Sequence, residues 1–201
     1  MRRAGCAAVL AILSTAFWLT APAEASIKVK TKTTTYSISG KTGEALLDAM
    51  DRSGPKHGFL TRAIAQTSYT VSWDIDWRQR GGGCLVADAA ATLSVNYNYP
   101  AVSNALSGPL DNRWRRFMAG VRRHEETHGR IARDMVKAAE RDITGLTYRN
   151  DRSCSRAQAD VKLRIARTYA KYEARQESFD QVEHAPGGNV ERLVRRLSGA
   201  N

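Results

Sequence analysis

The 201-residue chain is poor in cysteine and histidine, with three of the first and four of the second. No two cysteines stand as C-x-x-C, and Cys84 and Cys154 are widely spaced, which argues against a pair of zinc thiolates. Acidic residues are outnumbered, 20 against 31 basic, giving a formal charge of +11. A surplus of that size allows contact with an anionic envelope surface. No basic run is interleaved with aromatics, so specific nucleic-acid binding is not expected, and most of the excess reads as Arg and Lys along solvated helix faces. Past the N-terminus no apolar stretch could span a membrane, so the mature chain is expected to have no transmembrane segment. There is no internal repeat and no linker, and the length suits one domain with a real core.

The single long apolar run lies at the N-terminus. Arg2 and Arg3 precede it, Cys6 to Leu19 form it, and Ala23-Glu24-Ala25 supplies small residues at a cleavage site. This pattern predicts a signal peptide over 1–25, cleaved after Ala25, and a periplasmic or secreted mature chain over 26–201. The run is too short for an uncleaved anchor, and Cys6 precedes it, where lipidation is not expected. With Cys6 removed, Cys84 and Cys154 form an even pair in an oxidising compartment and predict one disulfide. Closing so long a loop contributes on the order of 4 kcal/mol in the chain-entropy account.

Ile27 to Tyr36 alternates loosely and is rich in Lys and Thr, as in an edge strand. Thr42 reads as the N-cap of a short helix carrying Ala45, Leu46, Ala49 and Met50 on one face. Tyr69, Val71, Trp73, Ile75 and Trp77 keep a two-residue period, then Gly81-Gly82-Gly83 turns the chain. A second alternating run, Leu93 to Tyr99, is closed by Pro100. Asp111 is a plausible N-cap for a helix of about 30 residues, whose apolar stripe includes Trp114, Phe117, Val121, Ile131, Met135 and Ile143. A second helix carries Ala157, Val161, Ile165, Tyr169 and Tyr172 and fades toward Phe179. Residues 184–188 read as a loop, and 190–201 as a short docked helix or a frayed tail.

Within the first long helix stands His124-Glu125-Glu126-Thr127-His128, an H-E-x-x-H pattern. Histidines four apart share one helix face, about 40° apart around the axis. Both fall close to the buried stripe, where unpaired imidazoles are costly. Core histidines satisfied by hydrogen bonds are the plain alternative. One Zn²⁺ per chain, held by His124 and His128, satisfies both rings, and Glu125 is then placed as general base for a zinc-activated water. A third ligand is still needed. The local frame that would continue the motif is missing, because Ile131 and Asp134 stand where glycine and histidine belong. Asp134 is a poor candidate, and Glu140 and Asp142 lie about 18–21 Å along the same helix. That leaves His57, before the first clear strand, and His184. A helical hairpin returns His184 toward His124, which favours His184 as third metal ligand.

Several features occur together in order. Tyr36 precedes Ile38-Ser39-Gly40, then come Trp73-x-x-x-Trp77, a glycine turn into Cys84, a strand ending at Pro100, Trp114 and Phe117 before the H-E-x-x-H pattern, and Cys154 downstream. In this ordered set, over residues 34 to 185, the chain resembles a bacterial family of secreted zinc-dependent proteases whose domain is labelled as of unknown function. Near its C-terminus that family carries a Tyr-Asp-x-x-Thr-x-His-Gly segment. Phe179-Asp180 followed by His184 is a degraded version of it, which also points to His184 as ligand and to Asp180 as a partner orienting a ligand histidine or as a plain helix-end carboxylate. The resulting expectation is an α+β, zincin-like fold, with a small antiparallel sheet followed by a long active-site helix and a second long helix. The expected activity is that of a zinc metallopeptidase acting on a peptide or protein substrate. An extended substrate could add to the edge of the strand ending at Tyr99-Pro100. Two other readings use the same residues: a non-catalytic zinc-containing envelope protein that binds an anionic partner, and a zinc amidase acting on cell-wall material.

Overall fold

The computed structural model describes residues 27–57 and 61–199. The expected signal peptide and its cleavage point lie outside the described residues. The chain forms β1 (Lys28–Ile38), α1 (Gly43–Ser53), β2 (Lys56–His57), β3 (Thr61–Arg62), β4 (Gln66–Arg80), β5 (Gly83–Val102), α2 (Gly108–Ile143), β6 (Thr147–Tyr148), α3 (Ser155–His184) and α4 (Asn189–Ser198). It is an α+β arrangement: the three long strands of a four-stranded sheet precede two long helices, and the short β6 lies between those helices in the chain.

The sheet is ordered β1-β5-β4, with β6 beside the start of β5. β4 and β5 form a long antiparallel hairpin, and the two residues between them, Gly81 and Gly82, both have positive φ, as the twist of a tight hairpin turn requires. β1 pairs with β5 in parallel, Tyr36 opposite Pro100, so the sheet is mixed rather than wholly antiparallel. The reason is topological. α1 and the β2–β3 ribbon intervene between β1 and β4, so β1 returns to the sheet by a crossover and not by a turn. β1 is the outer strand the lysines foretold, with Lys28, Lys30 and Lys32 exposed. β5 is central, so Tyr97 and Asn98 have a neighbour on both sides and no free edge to offer. The outer strand on the other side is β4.

Thr42 caps α1 as expected, its Oγ1 accepting from the Ala45 amide at 3.1 Å. α2 begins earlier than Asp111: Ser107 is the N-cap and Pro109 sits in the first turn, where a missing N–H costs nothing. Asp111 instead places its carboxylate in that turn, favourable to the helix dipole. α3 does not fade at Phe179 but continues to His184. α2 and α3 run antiparallel, as shown by Asp142 meeting Arg164 and His128 meeting Gln176. The tail is a docked helix, with Leu193 and Leu197 of α4 buried.

One side of the sheet is buried beneath the helices. Leu93 and Val95 of β5 pack with Met135 and Val136 of α2, while Tyr169 and Tyr172 of α3 close that cluster. Full burial of a Leu, Val or Met side chain contributes roughly 1.5–3 kcal/mol. The Cys84–Cys154 disulfide is formed, joining the start of β5 to the residue before α3.

Candidate metal centre

The buried stripe of α2 carries His124 and Glu125 as the two buried polar residues of its middle section. His128 follows one turn later. α3 crosses opposite them and presents Gln176, Phe179, Asp180 and Glu183, residues three and four apart that share one helix face. Phe179 stacks on the His124 ring at 4.9 Å and meets the His128 ring edge-on at 5.1 Å, fixing both imidazoles laterally.

Three ligand atoms converge. His124 Nε2 and His128 Nε2 are 3.2 Å apart, and Asp180 Oδ1 lies 3.3 Å from the first and 2.9 Å from the second. Tetrahedral zinc with bonds of 2.0–2.1 Å needs ligand atoms about 3.3–3.4 Å apart. The triangle fits that requirement with little adjustment.

The tautomers agree. Gln176 Nε2 donates to the His128 backbone carbonyl at 3.2 Å, and that carbonyl can only accept. The amide orientation is thereby set, and Gln176 Oε1 faces His128 Nδ1 at 2.6 Å. Nδ1 must therefore carry the proton, which leaves Nε2 bare in the neutral ring. His124 Nδ1 faces Glu183 Oε2 at 3.5 Å, and the same carboxylate oxygen accepts from Asn189 Nδ2 at 3.0 Å. With both rings neutral, two bare ring nitrogens and a carboxylate oxygen face one another, a group that could hold a cation. Asp180 Oδ1 is itself buried and in hydrogen-bond geometry with neither histidine, although the side chain as a whole is 42% exposed. Buried polar atoms of this kind demand a partner. A divalent metal would supply one for all three.

The electrostatics follow the same pattern. Burial alone would raise the Asp180 carboxyl, but the two imidazoles outweigh it and hold it well below the usual carboxylate range. Burial pulls His128 down, and Asp180 with Gln176 more than offsets this, so the ring stays above its ordinary value. His184 is lowered, by burial first and by His124 second.

Glu125 points to β4. Thr67 Oγ1 lies 2.6 Å from Glu125 Oε2 and 3.1 Å from the Glu125 carbonyl, donating to the carboxylate and holding one oxygen in place. The second oxygen, Oε1, has no hydrogen-bond partner among the described residues. Glu125, His124, His128 and Asp180 all line a groove of about 790 Å³ that also touches residues 62–65 and, at the start of the outer strand, Gln66, Thr67 and Tyr69.

The sequence-expected residues distribute clearly. His124, Glu125 and His128 come together. His184, the last residue of α3, lies beside the centre, its ring 5.4 Å from that of His124, while Asp180 one turn earlier completes the three-atom group. His57 falls in β2 opposite Thr61, and Asp134 is exposed on α2. Gln176, Glu183 and Thr67 were not foreseen. The first two repeat at helical spacing with Asp180, a polar stripe that a search for apolar periodicity passes over.

Fold and site together define an α+β protein with a candidate metal centre between two antiparallel helices. The chain belongs to DUF922, a bacterial family of unknown function, whose profile matches residues 33–188. Among curated proteins and among solved structures, nothing matches the chain.

Proposed function

We propose that the chain is a zinc-dependent peptidase exported to an oxidising compartment, with His124, His128 and Asp180 as metal ligands and Glu125 as general base. The observation that carries this reading is Asp180 Oδ1: buried, without a hydrogen bond, and about 3 Å from two bare imidazole nitrogens. Zinc held there supplies Lewis acidity, which eases proton loss from water at neutral pH. Three protein ligands leave a fourth position open, as catalytic sites require. Glu125, with Oε2 held by Thr67, takes the proton on its free oxygen and returns it to the leaving amine. The outer edge of β4 runs beside the groove and offers backbone groups to an extended peptide. The Cys84–Cys154 disulfide and the N-terminal leader pattern both support export.

One observation favours a second reading. His184 lies close enough to His124 that a small shift of the end of α3 would bring a fourth ligand to the metal and close the site. That would make the zinc structural and the chain an envelope-binding protein. Zinc content and cleavage of a broad peptide library separate the two. Glu125→Gln should abolish hydrolysis and keep about one zinc per chain, whereas Asp180→Ala should lose the zinc. Full metal content in wild type with no cleavage would favour the structural reading. Retention of zinc by Asp180→Ala and its loss from His184→Ala would overturn the ligand assignment.

A further inference from the structure

A second cavity, of about 650 Å³, lies where α4 crosses the N-terminal half of α2. Four arginines line it: Arg113, Arg116 and Arg123 from α2 and Arg196 from α4. Phe117 and Leu193 form an apolar wall, and the same two side chains border the metal-centre groove.

Arg113 already has a partner, because its Nε donates to the Leu197 carbonyl at 3.1 Å and so neutralises the negative end of α4. The other three guanidiniums make no ion pair and no side-chain hydrogen bond among the described residues. Their neighbours on the same helices behave differently. Arg115 reaches Asp111 and Arg195 reaches Glu191, each pair four residues apart. Asn112, Ala119 and Arg192 stand at the corresponding positions for Arg116, Arg123 and Arg196. Only Glu126 falls within helical reach, three residues from Arg123, and the two form no ion pair. Arg116, Arg123 and Arg196 are exposed, and three unpaired like charges from two elements border one cavity, where an anion can meet all of them.

We propose that this cavity binds a ligand carrying two or more oxyanion groups, carboxylate or phosphate, gripped by Arg116, Arg123 and Arg196. Guanidinium forks match both groups with paired hydrogen bonds. The site stands whether or not the metal centre is catalytic.

Titration calorimetry of the full mature chain with tripolyphosphate and with pentaglutamate tests it, in 50 mM and 150 mM salt. The wild type should bind at least one probe with saturable one-to-one stoichiometry, and the tighter probe tells whether phosphate or carboxylate is preferred. The Arg116→Ala/Arg123→Ala/Arg196→Ala variant should bind at least roughly a hundredfold more weakly. A control with three exposed arginines removed elsewhere, Arg80→Ala/Arg149→Ala/Arg167→Ala, should stay within about threefold. Should the triple variant not fold, Arg196→Gln, on the exposed side of α4, should alone cost roughly tenfold. An equal loss in the control would reduce the effect to net charge and overturn the proposal, as would the absence of one-to-one binding for both probes.

Discussion

Gln176 determines which nitrogen of His128 faces the centre. Its amide spans the imidazole Nδ1 and the backbone carbonyl of the same residue, so ring orientation and tautomer are set together. Residues that orient a ligand histidine in this way typically alter metal affinity 10–100-fold. Gln176→Leu should therefore weaken zinc binding by about that factor in a chelator competition, with the fold unchanged by circular dichroism. Unchanged affinity would show that Phe179 stacking alone holds the ring. Glu140 presents the opposite case, a carboxylate whose burial outweighs the nearby Arg141 and Lys137. It is 2% exposed, its Oε1 has no hydrogen bond, and burial, with Asp88 nearby, raises its carboxyl. The folded state therefore prefers the protonated acid. The stability contributed by Glu140 is complete below the unfolded carboxylate pKa and is lost as pH rises through the folded one. Glu140→Gln should raise the unfolding free energy by about 1 kcal/mol at pH 8 and by nothing measurable near pH 4, read from urea midpoints. Neither residue was legible in advance. A glutamine that orients a histidine and a carboxylate buried with an unpaired oxygen look alike in a helical sequence, since only the elements packed against them tell them apart.

At the scale of elements, α2 was legible because its buried side is apolar and regular, from Phe117 to Ile143, and the histidines fall on that stripe. The last third of α3 was not, because its inward face is Gln176, Asp180 and Glu183, half-buried polar residues that meet the two histidines and not an apolar core. Apolar periodicity faded at Phe179 while the helix went on. The same logic explains why Asp180 looked secondary and His184 primary: one helical turn separates them, and the exact crossing of α2 and α3 decides which reaches both rings. That crossing also depends on how α2 lies on the sheet. Gly129, directly after His128, is buried against β5, and a Cβ there would collide with Tyr97 Oη. Gly129→Ala should favour the isolated helix by up to about 1 kcal/mol through propensity. In the protein it must push α2 off β5, at a net cost of roughly 1–3 kcal/mol typical of overpacking. The shift also moves Glu125 relative to Thr67 on the neighbouring strand. We expect a lower Tm together with a loss of peptide hydrolysis larger than the loss of zinc. A more stable variant with full activity would show that Tyr97 simply rotates away.

For the whole molecule, the α+β class and the order of sheet before helices followed from two clean periods, 2.0 and 3.6. The parallel pairing of β1 did not, since alternation says which face is buried but not which direction a neighbour runs. The disulfide was legible from counting alone, and its position shows what it does. Cys154 immediately precedes α3, so the bond clamps the closed end of the helix pair to the start of β5. Asp180 lies 26 residues further along the same helix, roughly 39 Å away at 1.5 Å per residue. A covalent bond ties the hairpin at the turn, and the proposed metal would tie it at the open end. Reducing the bond should lower the unfolding free energy by about 4 kcal/mol, the chain-entropy value for a separation of 70 residues. Zinc at a hundred times its dissociation constant should add about 2.7 kcal/mol, removed by a chelator. Sites this far apart without shared partners normally contribute additively to within about 0.5 kcal/mol. Denaturant unfolding of the oxidised and reduced protein, each with and without zinc, measures the coupling directly. Additivity would mean the sheet alone sets the helix crossing. A zinc contribution that shrinks on reduction would mean the disulfide holds α3 in the register that brings Asp180 to the two histidines, and export to an oxidising compartment would then be a condition for metal binding as well as for stability.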